Sequence, residues 1–209
     1  MPGRAPLTAF AMNCSLKSSD AEEKSSTDLL LSDLMAALEP HGVAAKKPVR
    51  VADYDIKPGV LSNMGKGDEW PTLRRRIIEA DILLLGVPIW MGQPSSVAKR
   101  ALERMDAFLS ETDKKGRMPA SGKVALVAIV GNEDGAHHCH AACFQALNDV
   151  GFTIPANGGV YWVGEAMGSV NYVDLPGTPE KVVSTLQMAA ANAAHLSRAL
   201  KGENYPGLS

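Results

Sequence analysis

The chain has 209 residues, a net charge of −2, 45% hydrophobic residues and 21% charged residues, which is ordinary for a soluble α/β domain with a sizeable core. The charge excludes the strongly basic surface of a nucleic-acid-binding protein, and the dispersed Lys and Arg residues give no reason to expect a role at a membrane surface. Since no apolar run approaches the roughly 18 residues of a membrane span, we also expect no transmembrane helix.

The first third of the chain predicts two strands and two helices. The apolar run from Leu7 to Asn13 is typical of a strand, and a helix with a leucine-rich face follows it and ends near Pro40. Ala45 to Val51 predicts a weaker strand near the edge of a sheet, because lysines and a proline interrupt it. A long loop rich in Gly, Asp and Pro, residues 53–70, then leads into a helix that begins near Asp68 and runs to Ala80.

The most informative stretch is residues 80–109. Its first part, from Ala80 to Val87, is continuously apolar, as expected for a strand buried on both faces of a parallel sheet. A loop from Pro88 to Gln93 follows. Apolar residues then recur at spacings of three and four as far as Leu109, which predicts an amphipathic helix.

The rest of the chain repeats this alternation. Val124 to Val130 predicts another buried strand, a helix follows it and ends at Gly151, Gly159 to Val163 predicts a last strand, and Pro179 to Lys201 predicts a final helix. Strict alternation of strands and helices predicts a parallel sheet with helices on both faces. We therefore expect an α/β three-layer sandwich around a five-stranded parallel sheet, in the flavodoxin-like order 2-1-3-4-5. Its ligand crevice lies between the first and third strands.

Three loops are expected to meet above that crevice. The first, from Cys14 to Thr27, is rich in hydroxyls, carries Lys17 and leads into a helix N-terminus, a combination that suits a phosphate group. It has neither the dinucleotide-binding G-x-G-x-x-G pattern nor a Walker loop, which disfavours those nucleotides. The alternative is that Ser25, Ser26 or Thr27 only caps the helix.

The other two loops suit a planar ring. Pro88 and Trp90 offer flat faces against which a heterocycle could lie, although Trp90 could equally be a packing residue. Gly131 and Gly135 let the backbone approach a ligand edge closely, although the same residues also suit an ordinary turn.

These motifs resemble the flavodoxin-like NADPH-dependent FMN reductase family, in order and at family-like spacing, from about Leu7 to Leu200. The matching pieces are Asn13-Cys14-Ser15-Leu16-Lys17 with Ser25-Ser26-Thr27, then Ala80 to Gly92, then Gly131 to Ala136. Members often have Gly-Ser-Pro-Arg where this chain has Cys14 to Lys17. Lys17 keeps the charge but lacks the bidentate fork of Arg, so phosphate affinity is expected to be lower.

The resemblance implies an FMN-dependent oxidoreductase. Hydride would pass from NADPH or NADH through flavin N5 to a flavin, quinone or similar acceptor, with no catalytic side chain. It also suggests a homodimer or homotetramer. The residues it implies for cofactor binding fall into three groups: at the phosphate Ser15, Lys17, Ser25, Ser26 and Thr27; beside the ring Pro88, Ile89, Trp90, Met91 and Gly92; at its pyrimidine side Gly131, Asn132, Glu133, Asp134 and Gly135, with His137 at the border.

Two details of the pocket are also predicted. The carboxylates of Glu133 and Asp134 should point to solvent or to other partners, because a negative charge at the pyrimidine edge would oppose an anionic reduced flavin. The loop 53–70 and the segment 164–178 are expected to shape the acceptor pocket. Trp70 and Trp162 could be walls of this pocket or core residues, and the core interpretation is favoured for each.

Two other functions stay open. A non-enzymatic electron carrier or flavin-based sensor would share the fold, but carriers of this type are usually strongly acidic for docking, and the net charge is only −2. A metal site within His137–Cys143 matches no zinc spacing, and Cys139 and Cys143 also fit the apolar face of their helix.

The cysteines bear on the cellular compartment, and the chain termini bear on the domain limits. Cys14, Cys139 and Cys143 are an odd set without a disulfide pattern, so a reducing cytoplasm is expected. Residues 1–6 are predicted to be a flexible tail, residues 7–201 a single domain and residues 202–209 a C-terminal tail.

Overall fold

A computed structural model describes residues 6–166 and 168–208, so residues 1–5 of the predicted N-terminal tail lie outside the described part. Helices and strands alternate along the chain as predicted. The strands are β1 (Leu7–Asn13), β2 (Val43–Ala45), β3 (Val49–Arg50), β4 (Ile82–Trp90), β5 (Gln93–Pro94), β6 (Val124–Gly131) and β7 (Gly159–Val163). The α-helices are α1 (Ser26–Leu38), α2 (Trp70–Glu79), α3 (Ser96–Met105), α4 (Ala136–Asp149) and α5 (Glu180–Gly202).

The strands form one sheet with the path β2-β1-β4-β6-β7, in which every neighbouring pair is parallel. The predicted α/β class with a parallel sheet is confirmed. The predicted count of five strands, and with it the numbering of the order, is wrong: β3 also pairs with β1, and β5 pairs antiparallel with β4, which makes seven strands within the described residues.

The first extra strand comes from an interrupted edge. The predicted strand Ala45 to Val51 is two short strands, and both pair with β1, one at Leu7 to Ala9 and the other at Met12 and Asn13. Pro48 lies between them and has no N–H to donate to a ladder, which explains why pairing stops and restarts.

The second extra strand comes from a hairpin at the predicted loop Pro88 to Gln93. Strand β4 continues to Trp90, and Ile89 and Trp90 pair with Pro94 and Gln93. Met91 and Gly92 form the two-residue turn with φ of 51° and 73°, the positive values that a type I′ hairpin requires. Sequence periodicity missed this hairpin because Met is rare at such a position.

The core lies on both faces of the sheet. Leu83 and Leu85 of β4 pack towards α2, α3 and α4, whereas Ile82 and Leu84 pack towards α1 and α5, as the two-residue period of a strand dictates. A Cβ on Gly86 would lie 2.6 Å from Leu31 Cδ1 and 2.8 Å from Thr27 Cγ2. The glycine therefore lets α1 cross close to β4, with the helix N-terminus at the carboxyl ends of the strands.

The C-terminal tail is fastened to the domain. The Leu208 N–H donates to the Lys115 carbonyl at 2.9 Å, and the hydroxyls of Tyr205 and Thr153 lie 2.9 Å apart. Among the helices that the structure describes, none has both the length and the apolar composition needed to cross a bilayer.

Candidate functional site

The three predicted loops meet at a cavity of about 350 Å³ at the carboxyl edge of the sheet, beside β1 and β4. This is the position at which open α/β sheets bind ligands. The cavity is lined by Ser15, Leu16, Lys17, Lys24, Ser25, Ser26, Thr27, Pro88, Ile89, Trp90, Val130, Gly131, Asn132, Glu133, Trp162, Asn171, Tyr172 and Val173.

A second cleft is larger, at about 680 Å³, but it lies at the opposite edge of the sheet, where β1 begins and α5 ends. His41, His195 and Arg198 are among its lining residues. Parallel sheets of this kind do not bind cofactors at the amino ends of their strands, and the predicted site residues are all elsewhere. The smaller cavity is therefore the candidate site.

One end of the cavity is built on the first turn of α1. Ser25 is the N-cap: its Oγ accepts from the Asp28 N–H and from Asn13 Nδ2, both at 3.2 Å. Ser25 therefore caps the helix and also lines the cavity. The N–H groups of Ser26 and Thr27 have no acceptor within the helix. Together with the positive end of the helix dipole, they make this end of the cavity suitable for an anion.

Arg50 on β3 supports the loop that carries the other hydroxyls. Its guanidinium pairs with the Asp28 carboxylate, with Nε to Oδ2 at 3.0 Å, and donates to the carbonyls of Lys17 and Ser18. Ser15 is buried, and its Oγ accepts from the Lys17 N–H at 3.1 Å. A loop without regular structure is therefore held in one shape by an arginine that no local sequence pattern identifies.

Two lysines lie at this end of the cavity. Lys17 was predicted, and its ammonium is paired with Glu23, whose pKa is lowered by the hydrogen bond and charge of Lys17. Lys24 also lines the cavity and was not predicted. Both ammonium groups help to hold the pKa of Asp174 below its ordinary value, after the larger effect of its hydrogen bonds from Asn171. The phosphate-type end thus has two cations and a nearby acid.

The other end is the hairpin β4–β5 packed against the loop after β6. The Met91 N–H donates to Glu133 Oε1 at 2.9 Å, and His138 Nε2 lies 2.9 Å from Gln93 Oε1. A Cβ on Gly135 would come within 2.7 Å of Gly92 Cα, so glycine is required where the two loops touch. The carboxylate of Glu133 is engaged by the hairpin, and Asp134 is exposed. That neither carboxylate contacts a bound flavin stays a prediction.

The structure divides the predicted binding residues into two groups. Eleven line the cavity: Ser15, Lys17, Ser25, Ser26, Thr27, Pro88, Ile89, Trp90, Gly131, Asn132 and Glu133. Five lie outside its lining: Met91, Gly92, Asp134, Gly135 and His137. Gly92 and Gly135 hold the two loops together, and the ring of His137 packs edge-on against Tyr161 at a centroid distance of 5.3 Å.

One wall of the cavity comes from a segment whose individual residues were not predicted. Residues 168–178, called the strap below, contribute Asn171, Tyr172 and Val173 to the lining. Trp162 also lines the cavity, with its ring 5.5 Å from that of Tyr172, while packing on the core. Both interpretations of Trp162 therefore apply: it packs on the core and, from its position on the edge strand, also faces the crevice.

The strap is fastened at both ends of its cavity-facing part. The Val173 N–H donates to Ser26 Oγ at 3.2 Å, and the buried Tyr172 hydroxyl donates to the Asp33 carboxylate at 2.6 Å. Asn132 Nδ2 donates to the Gly168 carbonyl at 3.1 Å. Ser26 and Asn132 thus face the cavity and also hold its wall.

The other long segment does not reach the cavity. Residues 57–68, called the clamped loop below, pack on α3, where Arg104 donates to the carbonyls of Lys57 and Leu61 and to both oxygens of Asp68. Both charged side chains are fully buried, and Arg104 holds the pKa of Asp68 well below its ordinary value. No residue of this loop lines the cavity, and Trp70 at its end is a core residue, as predicted.

Cys139, His140 and Cys143 of α4 are buried, whereas His137 and His138 are exposed on the same helix. Burial raises the pKa of Cys139 to about 11 and that of Cys143 to about 12. His140 stacks on Phe144, and burial lowers its pKa. Within residues 6–166 and 168–208, no three His, Cys, Asp or Glu side chains are grouped so that they could hold a metal ion.

The family model described as NADPH-dependent FMN reductase matches residues 9–168. The chain belongs to this family. Its fold is flavodoxin-like, and membership implies a flavin-dependent oxidoreductase that binds FMN. Both ends of the cavity fit that cofactor, since hydroxyls, free helix N–H groups and two lysines lie at one end, and Pro88, Trp90 and Trp162 lie at the other.

Two curated relatives differ in how much of them the chain spans. The 8-demethyl-8-aminoriboflavin-5′-phosphate synthase of Streptomyces davaonensis is 31% identical over an alignment of 209 positions, and the match covers 95% of this chain and 80% of that protein. A Mycobacterium bovis protein named divalent metal cation transporter MntH is 39% identical over 176 residues. That match covers 82% of this chain but only 25% of the relative.

The fold also agrees closely with a solved structure. The crystal structure of RosB with the bound intermediate 8-demethyl-8-formylriboflavin-5′-phosphate superposes with a TM-score of 0.87 at 29% identity, covering 97% of this chain and 83% of that one.

Proposed function

We propose that this FMN reductase family member takes hydride from NADPH or NADH and delivers the electrons to a flavin, quinone or similar acceptor. The observation that carries the proposal is the two-ended cavity at the carboxyl edge of the sheet. A phosphate-type end and a flat, largely apolar end lie in one crevice of about 350 Å³, in a chain that matches the family over residues 9–168.

The phosphate end does the binding. Ser15, Ser26 and Thr27 supply hydroxyls, and the first turn of α1 supplies N–H donors. Lys17 and Lys24 supply positive charge, and Lys17 must leave Glu23 to reach a phosphate. This exchange of partners reduces the net gain from Lys17, in line with the weaker affinity expected from a lysine in place of arginine.

The ring end orients the cofactor. Bound FMN supplies the two-electron chemistry, so no nucleophilic side chain is required. The hairpin wall at Pro88 and Trp90 is held rigid by its bonds to the loop after β6. The Met91 N–H donates to the Glu133 carboxylate and so offsets part of its negative charge at the cavity.

The test is reconstitution of the chain with FMN, followed by steady-state oxidation of NADPH and of NADH. We expect a tight yellow complex and turnover with an added flavin or quinone. A complex that forms but oxidises neither nicotinamide would leave a flavodoxin-type electron carrier or sensor as the function. Failure to form any flavin complex would overturn the proposal.

A double variant assigns the phosphate site. Ser26→Ala with Thr27→Ala should weaken FMN binding roughly a hundredfold or more, since a hydrogen bond to a charged group contributes about 1.5–3 kcal/mol. The control is Ser32→Ala, two turns along α1, whose Oγ bonds only to the Asp28 carbonyl. Unchanged FMN affinity in the double variant would exclude this phosphate assignment.

A second candidate function treats FMN as a substrate. It is favoured by the 31% identity over 95% of the chain to a synthase whose name gives a modified riboflavin 5′-phosphate as the product. Mass spectrometry of the flavin after incubation separates the two candidates. Recovery of unmodified FMN after many turnovers supports the oxidoreductase, and a changed mass supports flavin modification.

The oligomeric state is part of the proposal. Trp90 is 48% exposed and Met91 88% exposed at the tip of the hairpin. Large exposed apolar side chains beside a cavity are typical of interfaces, which supports a homodimer or homotetramer. Analytical ultracentrifugation tests this, and a monomer at micromolar concentration would contradict it.

A further inference from the structure

Ser26 contacts both the strap and the cavity. It stands on the first turn of α1, lines the cavity, and its Oγ accepts the Val173 N–H at 3.2 Å. A serine hydroxyl has one proton to donate and two acceptor positions. Because the strap uses one acceptor position, the proton remains available to a group inside the cavity.

The strap docks on a single face of α1. Asp33 is seven residues after Ser26 and therefore on the same side of the helix. It accepts hydrogen bonds from the Tyr172 hydroxyl at 2.6 Å and from Thr178 Oγ1 at 3.0 Å. The strap thus has a charged anchor away from the cavity and a neutral anchor, Ser26, at the cavity itself.

The strap has hydrogen bonds of its own. The Asp174 carboxylate accepts hydrogen bonds from the Asn171 N–H and from its side-chain amide, both at 3.0 Å. These bonds hold the turn that presents Asn171 to Val173 to the cavity. What a ligand can change is how firmly this turn is held against Ser26.

We propose that Ser26 couples occupancy of the phosphate site to closure of the strap. When a phosphate accepts the Ser26 proton, the hydroxyl becomes a stronger acceptor for the Val173 N–H, because linked hydrogen bonds polarise one another. A phosphorylated flavin then tightens the wall of its own cavity, whereas riboflavin does not. This inference rests on the proposed binding of FMN, and Ser26 acts in it as a positioning residue.

The experiment is hydrogen exchange at the Val173 amide of the full chain, measured with saturating FMN, riboflavin or inorganic phosphate. FMN should slow the exchange about tenfold, because the strengthened bond must break before the amide exchanges. Riboflavin should leave the rate within about twofold of the free protein, and inorganic phosphate should slow it in the same direction as FMN.

Variants on α1 test whether the Ser26 hydroxyl is needed for the effect of FMN on Val173 exchange. In Ser26→Ala, saturating FMN should no longer slow Val173 exchange, and Ser26→Thr, which keeps the hydroxyl, should restore the effect. Ser32→Ala is the matched control and should behave as the unchanged chain, because its hydroxyl contacts the Asp28 carbonyl and not the strap.

The outcomes separate the two proposals. If FMN binds by flavin fluorescence and Val173 exchange is unaltered, or if riboflavin protects Val173 as well as FMN does, the coupling is overturned and FMN binding stands. If FMN fails to bind, the proposed function and the coupling fall together.

Discussion

The clamped loop and the strap are both irregular segments, and both were expected to shape the pocket, yet they are held in opposite ways. Arg104 fixes the clamped loop through a fully buried ion pair with Asp68 and bonds to backbone carbonyls. The strap is held by separate hydrogen bonds, and two of them involve residues that line the cavity: Ser26 accepts from the Val173 N–H, and Asn132 donates to the Gly168 carbonyl. The strap lines the cavity, and the clamped loop does not.

The difference separates a structural loop from a responsive one. A buried ion pair gives way only at a large free-energy cost when one partner is lost, so the clamped loop should be rigid and indifferent to ligands. At the cavity, the strap is anchored to Ser26 by a neutral hydrogen bond, which contributes about 1 kcal/mol. This part of the strap can therefore open and close, and a ligand that touches Ser26 can bias it. Anchoring chemistry, rather than length or composition, distinguishes the two segments.

The largest effect on stability is expected from loss of the Arg104–Asp68 ion pair. Arg104→Met should lower the free energy of unfolding by about 3–5 kcal/mol, because the Asp68 charge is left buried and unpaired. Urea denaturation measures this change. FMN affinity of the folded fraction should be unchanged, because the clamped loop is not part of the cavity.

Arg100→Met is the control for the clamp. Arg100 lies four residues earlier on α3, is exposed and donates to the Ile56 carbonyl at 3.1 Å, so its loss should cost less than about 1 kcal/mol. Equal destabilisation by the two variants would contradict the assigned role of the buried pair.

The Arg104–Asp68 ion pair could not be predicted from the sequence. Apolar periodicity predicted the helices and the buried strands, because each follows from local spacing. Arg104 sits on the buried side of α3 and pairs with a residue 36 positions away, and no local pattern reports such a contact. The loop 53–70 was therefore assigned to the pocket by its length alone.

The candidate site was predictable to a similar degree. Loops at the carboxyl ends of β1, β4 and β6 follow from the fold, which is why eleven of the predicted residues line one cavity. Lys24 and Tyr172 were missed, because their proximity to the cavity depends on the paths of an irregular loop and of the strap. The hairpin turn was missed because Met91 adopts a positive φ of 51° that methionine seldom takes.

A smaller effect is expected at the strap. Tyr172→Phe removes the hydroxyl that donates to Asp33 and should cost about 1–3 kcal/mol of stability, since the acceptor is charged. Unlike Arg104→Met, it should also accelerate release of bound FMN, which stopped-flow fluorescence measures. Tyr161→Phe on the exposed side of β7 is the control. Equal FMN release rates in both variants would mean that the strap does not retain bound FMN.

Acid should weaken the clamped loop through Asp68. Arg104 depresses the pKa of this carboxyl in the folded chain, so its stabilising contribution is complete above the ordinary value near 3.8 and is lost as the pH falls towards the folded value. Between about pH 5 and pH 2.5, stability should therefore fall more steeply in the unchanged chain than in Asp68→Asn. Parallel pH profiles would show that Asp68 contributes nothing to the slope.

The smallest effect concerns the partner of Lys17. Glu23→Gln frees Lys17 for the phosphate and should tighten FMN binding about two- to fivefold at low salt, the range of an exposed ion pair. Glu22→Gln removes the same charge from an adjacent exposed position and should change affinity less. Equal increases in FMN affinity in the two variants would mean that the net charge near the site, rather than the Lys17–Glu23 ion pair, sets the affinity.

The most direct test of the central claim is a crystal structure of the chain with FMN. We expect the phosphate within hydrogen-bond distance of Ser26, Thr27 and Lys17, the ring beside Pro88 and Gly131, and the strap closed over it. A phosphate bound elsewhere, such as the basic cleft at the amino ends of the strands, would contradict the account.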